Sequence, residues 1–124
     1  MKWLDRTALR LPFFALCLTP AAFKQAERKL KMVGNDAWLG RNDHATTHTY
    51  HNGNGGVACL VCLQVDKNRS RAYIDGILAH EATHIMQAFL ESIGETHPGR
   101  EEEAYAVGNI TERLIAEYLR LGGK

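Results

Sequence analysis

The sequence predicts an α+β fold, a small and mainly antiparallel sheet packed on helices, in one domain spanning residues 1–124. Three observations predict it. Thr46 to Tyr50 is β-branched and aromatic, Val57 to Val65 is an apolar run, and Asn52-Gly53-Asn54-Gly55-Gly56 between them is a turn, the pattern of a hairpin. Ile74, Leu78, Ala82, Ile85 and Phe89 recur at helical spacing and form one stripe. Ala106, Val107, Ile110, Leu114 and Leu121 do the same in a last helix.

Each element has its own signals. The opening Met1-Lys2-Trp3, the apolar Leu9 to Leu18 and the following Thr-Pro-Ala-Ala have the outline of a short signal peptide. Asp5, Arg6, Arg10 and Pro12 interrupt that outline, so a buried N-terminal segment packed on the core is expected instead. Thr19-Pro20 starts a helix, with a capping hydroxyl and proline at the first helical position. That helix runs from Ala21 to Met32 and ends at Gly34-Asn35. After the hairpin and a loop at Asp66-Lys67-Asn68, Ser70 caps a helix that reaches Ile93 and closes at Gly94. Glu95-Thr96-His97-Pro98-Gly99 turns the chain into the last helix, Arg100 to Leu121, and Gly122-Gly123-Lys124 is a frayed end.

Composition narrows the function. A net charge of +1, with Arg and Lys spread along the chain, argues against a nucleic-acid partner held by bulk electrostatics. No apolar run is long enough to span a bilayer, so no membrane partner is expected. Cys17, Cys59 and Cys62 are an odd number without a framework, which points to a reducing, cytoplasmic compartment. Cys59 and Cys62 have the spacing of half a zinc ribbon, but in a strand residues three apart face opposite sides, so they read as small core hydrophobes.

Chemistry is concentrated in His80-Glu81-Ala82-Thr83-His84. Histidines four apart on a helix leave the same face one turn apart, so two ring nitrogens can reach one Zn²⁺. Glu81 lies beside them, where its carboxylate can take a proton from a metal-activated water without ligating the metal. The third ligand is sought in Glu101-Glu102-Glu103, which opens the last helix. Glu103 is in register with the buried Ala106, Val107 and Ile110, whereas Glu102 shares a face with Tyr105, Asn109 and Arg113. A carboxylate on a buried face is costly unless paired or bound to metal, so Glu103 is the choice and Glu102 the fallback.

His80-Glu81-x-x-His84 followed by Glu101-x-Glu103-Ala104 resembles the gluzincin-like zinc metallopeptidases, which hold zinc with two His and a Glu from a second helix. The local match, over residues 70–115, is to small regulatory peptidases of mobile elements, in which the second Glu of Glu-x-Glu-Ala binds zinc. The whole chain is also similar to small zincin-like proteins of bacteriophages and prophages. The shared features are Ala45-Thr46-Thr47-His48, His-Glu-Ala-x-His, Ile93-Gly94-Glu95 and Glu103-Ala104-Tyr105-Ala106. The resemblance implies a zincin-like arrangement: the helix of the two histidines beneath a sheet whose edge strand pairs with an extended peptide, and a following Glu-bearing helix. It implies a zinc-dependent peptidase in the cytoplasm of a phage or prophage host, acting on a peptide or protein, with virion association a further option.

The chain departs from those peptidases at Tyr105, where they have a small polar residue. The small size of the chain, and the lack of the C-terminal subdomain in which many gluzincins keep a transition-state-stabilising His or Tyr, support a second reading, a non-catalytic zincin scaffold that binds a phage or host protein with zinc bound or lost. A structural zinc with His48 as fourth ligand is a third. His48 and Tyr105 are the candidates for binding substrate or stabilising an oxyanion, ahead of Tyr50 and Tyr73. His44 and His51 flank the same strand as exposed or hydrogen-bonded residues. Gly76, one turn before His80, would let another chain approach the metal-bearing face, or it reflects tight packing.

Overall fold

The computed structural model describes residues 13–31, 36–51 and 56–124. In chain order they contain β1 (Phe13–Cys17), α1 (Pro20–Lys29), β2 (Ala45–His51), β3 (Val57–Leu63), α2 (Arg71–Ser92) and α3 (Arg100–Arg120). The class is α+β, as expected. The expectations for residues 1–12, for the end of the first helix at 34–35 and for the turn at 52–55 lie outside the described residues.

The hairpin is present, with β2 antiparallel to β3, but β1 joins the other side of β3 in parallel. The sheet has the order β1-β3-β2 and is mixed, which corrects the expected mainly antiparallel sheet. The reason lies in β3. Its sequence, VACLVCL, is apolar at every position, and only a central strand covered on both faces needs that. Leu60 and Cys62 pack with Cys17 and Phe23 on the side of α1. Cys59, Val61 and Leu63 face the larger core built from Ile74, Leu78, Ala82, Ile85 and Met86 of α2 and Ile110, Leu114 and Tyr118 of α3. The molecule is thus layered, with α1 on one face of the sheet and the α2–α3 pair on the other. Each fully buried Leu or Ile contributes about 1.5–3 kcal/mol of hydrophobic stabilisation.

Local signals set the helix ends. The Thr19 side chain accepts from the Ala22 amide at 3.1 Å, and Ser70 caps α2 through the Tyr73 amide at 3.0 Å. Gly94, at φ +71°, closes α2, with the Gly94 and Glu95 amides bonded to the carbonyls of Glu91 and Leu90. The same arrangement at Gly122 closes α3 through the Tyr118 and Leu119 carbonyls, so the C-terminal residues are a cap where fraying was expected. Two further expectations are corrected. α1 ends at Lys29, before Met32, and Lys31 turns the chain with φ 57°. The buried face of α3 takes Tyr118, four residues after Leu114, while Leu121 beyond the helix end is 43% exposed. No helix among the described residues is long and apolar enough to cross a membrane.

Candidate metal centre

An open groove of about 440 Å³ runs between α2 and β2, the edge strand of the sheet among the described residues. Period-two alternation turns Ala45, Thr47 and Thr49 of β2 toward it. Helical spacing brings His80, His84, Gln87 and Glu91 to it from α2. The His80-Glu81-x-x-His84 segment therefore lies mid-helix, on the wall of a groove. The two imidazoles meet with their Nε2 atoms 3.1 Å apart and their rings nearly perpendicular, at 83°. Two nitrogens bound to one tetrahedral zinc at about 2.0–2.1 Å stand about 3.3 Å apart, so the pair fits two positions of such an ion. His84 Nδ1 is held by the Gln87 side-chain oxygen at 3.1 Å.

Glu81 behaves differently from its neighbours. It is only 4% exposed, set between α2 and β2, yet it lines the groove. Burying a carboxylate is costly unless it is hydrogen-bonded, and here the Thr47 hydroxyl donates to its Oε2. The register Thr47 opposite Val61 makes this possible, because Val61 faces the α2 core and opposed residues share a face.

The other candidates are placed elsewhere. Glu103 is half-buried and Glu102 exposed in the first turn of α3, the order the helical register predicts, but neither lines the groove. No group of three or more His, Cys, Asp or Glu among the described residues is placed to hold a metal ion. Of the candidate ligands, His80 and His84 are brought together, and neither Glu103 nor Glu102 joins them at the groove.

His48 stands opposite Leu60 on the α1 face of the sheet, with its ring against Phe23 at 4.6 Å and Nε2 3.1 Å from the Trp38 carbonyl. Its strand lines the groove; its side chain does not. Tyr105 is 76% exposed on α3 and also stands off the groove. Tyr50 donates to the buried Glu27 at 3.1 Å on the α1 side, and burial together with that carboxylate pushes its phenol up. Tyr73 stacks under Arg69, 4.6 Å away, and Arg69 also donates to His44. A side chain at Gly76 would meet nothing within 4 Å, so tight packing does not explain that glycine.

Sequence reading missed Thr47, Gln87 and Glu91. Alternation from Ala45 carries the signal for Thr47, and spacing of three and seven from His84 carries it for the other two. Compared with protein-family models, curated proteins and solved structures, the chain matches none.

Proposed function

We propose that the chain is a zinc-dependent peptidase of the gluzincin-like kind, encoded by a phage or prophage and working in the host cytoplasm. The observation that carries this reading is the meeting of the His80 and His84 Nε2 atoms at 3.1 Å on the same groove wall as the buried, hydrogen-bonded Glu81. His80 and His84 would hold the ion, with Glu103 of the first turn of α3 as the proposed third ligand. When bound, zinc would acidify a water and polarise the scissile carbonyl. The remaining work falls to the chain itself. An extended peptide laid along β2, an edge strand among the described residues, would gain main-chain hydrogen bonds and place one carbonyl in the groove. Glu81, oriented by Thr47 through Oε2, would take the water proton on its other oxygen and pass it to the leaving amine.

The test compares wild type with Glu81→Gln, each checked for zinc content and folding, on one peptide library. The amide is isosteric and keeps an acceptor for Thr47, so fold and metal should persist while cleavage falls about 10²- to 10⁴-fold. Cleavage that survives in Glu81→Gln would sink the assignment of the base. The placement of Glu103 and Glu102 away from the groove favours a second reading, a zincin scaffold that binds a phage or host protein without catalysis. Zinc retained with no cleavage by either form would select it.

A further inference from the structure

His80, His84 and Gln87 lie at successive spacings of four and three on α2, so their side chains form a chain of contacts along one face. The Gln87 Oε1 lies 3.1 Å from His84 Nδ1, and the His84 Nε2 lies 3.1 Å from His80 Nε2. An amide oxygen only accepts, so the hydrogen in the first contact belongs to His84 Nδ1. A neutral imidazole carries one N–H, which leaves His84 Nε2 with a bare lone pair. The hydrogen in the second contact therefore belongs to His80 Nε2. Unattached histidine side chains favour the Nε2–H form, so His84 is held in its less favoured tautomer and His80 is not.

We infer that Gln87 is a positioning residue, which fixes His84 as the Nδ1–H tautomer and so presets its Nε2 as a ligand atom for a divalent cation. The metal-binding consequence rests on the reading proposed above; the tautomer itself does not. The two histidines are then unequal. His84 is ready to bind, whereas His80 must first lose its hydrogen from Nε2 and regain one at Nδ1. Both rings are exposed, so water can carry out that exchange with no net proton released. An amide suits the role better than a carboxylate. It accepts the Nδ1–H bond without adding a charge that would favour imidazolium, the form that cannot ligate.

The test uses the metal-free full chain labelled with ¹⁵N-histidine, above about pH 8, where ordinary imidazoles are neutral. Long-range ¹H–¹⁵N correlations should show His84 protonated at Nδ1 and His80 at Nε2. Gln87→Leu, on the exposed face, should return His84 to Nε2–H. In competition with a chelating dye, Gln87→Leu should bind zinc about 10- to 100-fold more weakly than wild type, and Gln87→Glu, which offers only acceptors, should recover most of the loss. A wild-type His84 protonated at Nε2 overturns the inference, as does Gln87→Leu with an unchanged tautomer. Should wild type bind no zinc while the tautomer still follows Gln87, the positioning role stands and the metal reading falls.

Discussion

The Thr47 hydroxyl on β2 donates to the Glu81 carboxylate on α2, a bond that ties the edge strand to the helix of the two histidines. It is also what makes a carboxylate tolerable at a site only 4% exposed. Thr47→Val keeps the shape and strand preference but removes the donor, so it should cost about 1–3 kcal/mol in denaturant unfolding. Thr47→Ser should recover most of it. Equal stability for the two variants would mean that the bond contributes nothing.

Glu103 and Glu102 are adjacent, yet only Glu103 is drawn toward the packed face of α3. If α3 supplies the third ligand, Glu103→Ala should lower zinc affinity at least tenfold, while Glu102→Ala should change it little. Isothermal titration against both variants checks this. A larger loss in Glu102→Ala would refute the register argument.

How much of this was legible from the residues depends on the distance over which each signal acts. The helix of His80 and His84 could be read directly, because spacing of four fixes relative placement within one element. The fate of His48 could not. Which face of β2 it occupies follows from its pairing with Leu60, and that register is a relation between strands. The continuous apolar run of β3 already marked a strand covered on both faces. Its second partner, β1, lies forty residues or more away in the register Cys17 opposite Cys62, and nothing in FFALC announces a parallel neighbour. Glu103 sits between these cases: its half-buried face was predictable, and its relation to the histidine pair depends on how α3 packs on α2.

The three thiols should be silent in the native protein. Cys59 and Cys62 are fully buried and Cys17 is 2% exposed. Burial pushes the Cys59 thiol up, and Cys62 is pushed up by its hydrogen bond to Cys17 and by burial. Cys17 accepts that bond and is lowered by it, but offers no approach to a reagent. A thiol reagent should label none of the three without denaturant and all of them in its presence. The raised Cys59 and Cys62 thiols keep protons that the unfolded chain begins to give up at about pH 8.5. Their contribution is complete below that pH and is lost as pH climbs from there toward their raised folded values, with the lowered Cys17 opposing part of the loss. The urea midpoint should therefore fall as pH rises above about 8.5, and Cys59→Ala should make the fall shallower. Rapid native labelling would contradict the buried placement.

Gly76 offers the last test, because two physical readings of it agree on stability and differ on binding. It lies in the body of α2, one turn before His80, and is exposed. A Cβ there would meet nothing within 4 Å, and the same holds for Gly108 in α3. Glycine inside a helix costs about 0.8–1.0 kcal/mol relative to alanine, chiefly through the greater freedom of the unfolded chain. With open space around the site no packing penalty opposes the gain. Gly76→Ala should therefore stabilise the protein by up to about 1 kcal/mol, with Gly108→Ala as an internal comparison of the same size. Zinc affinity should be unchanged, since Gly76 does not line the groove. The alternative is that Gly76 is kept bare so that another backbone can approach the face bearing His80. In that case Gly76→Ala would still stabilise the isolated chain, because the penalty arises only in the complex. Substrate or partner binding would then weaken in Gly76→Ala and not in Gly108→Ala. Equal stabilisation by both, with binding unaffected, leaves the glycine without a functional role; a destabilised Gly76→Ala would contradict the open surroundings seen at that turn.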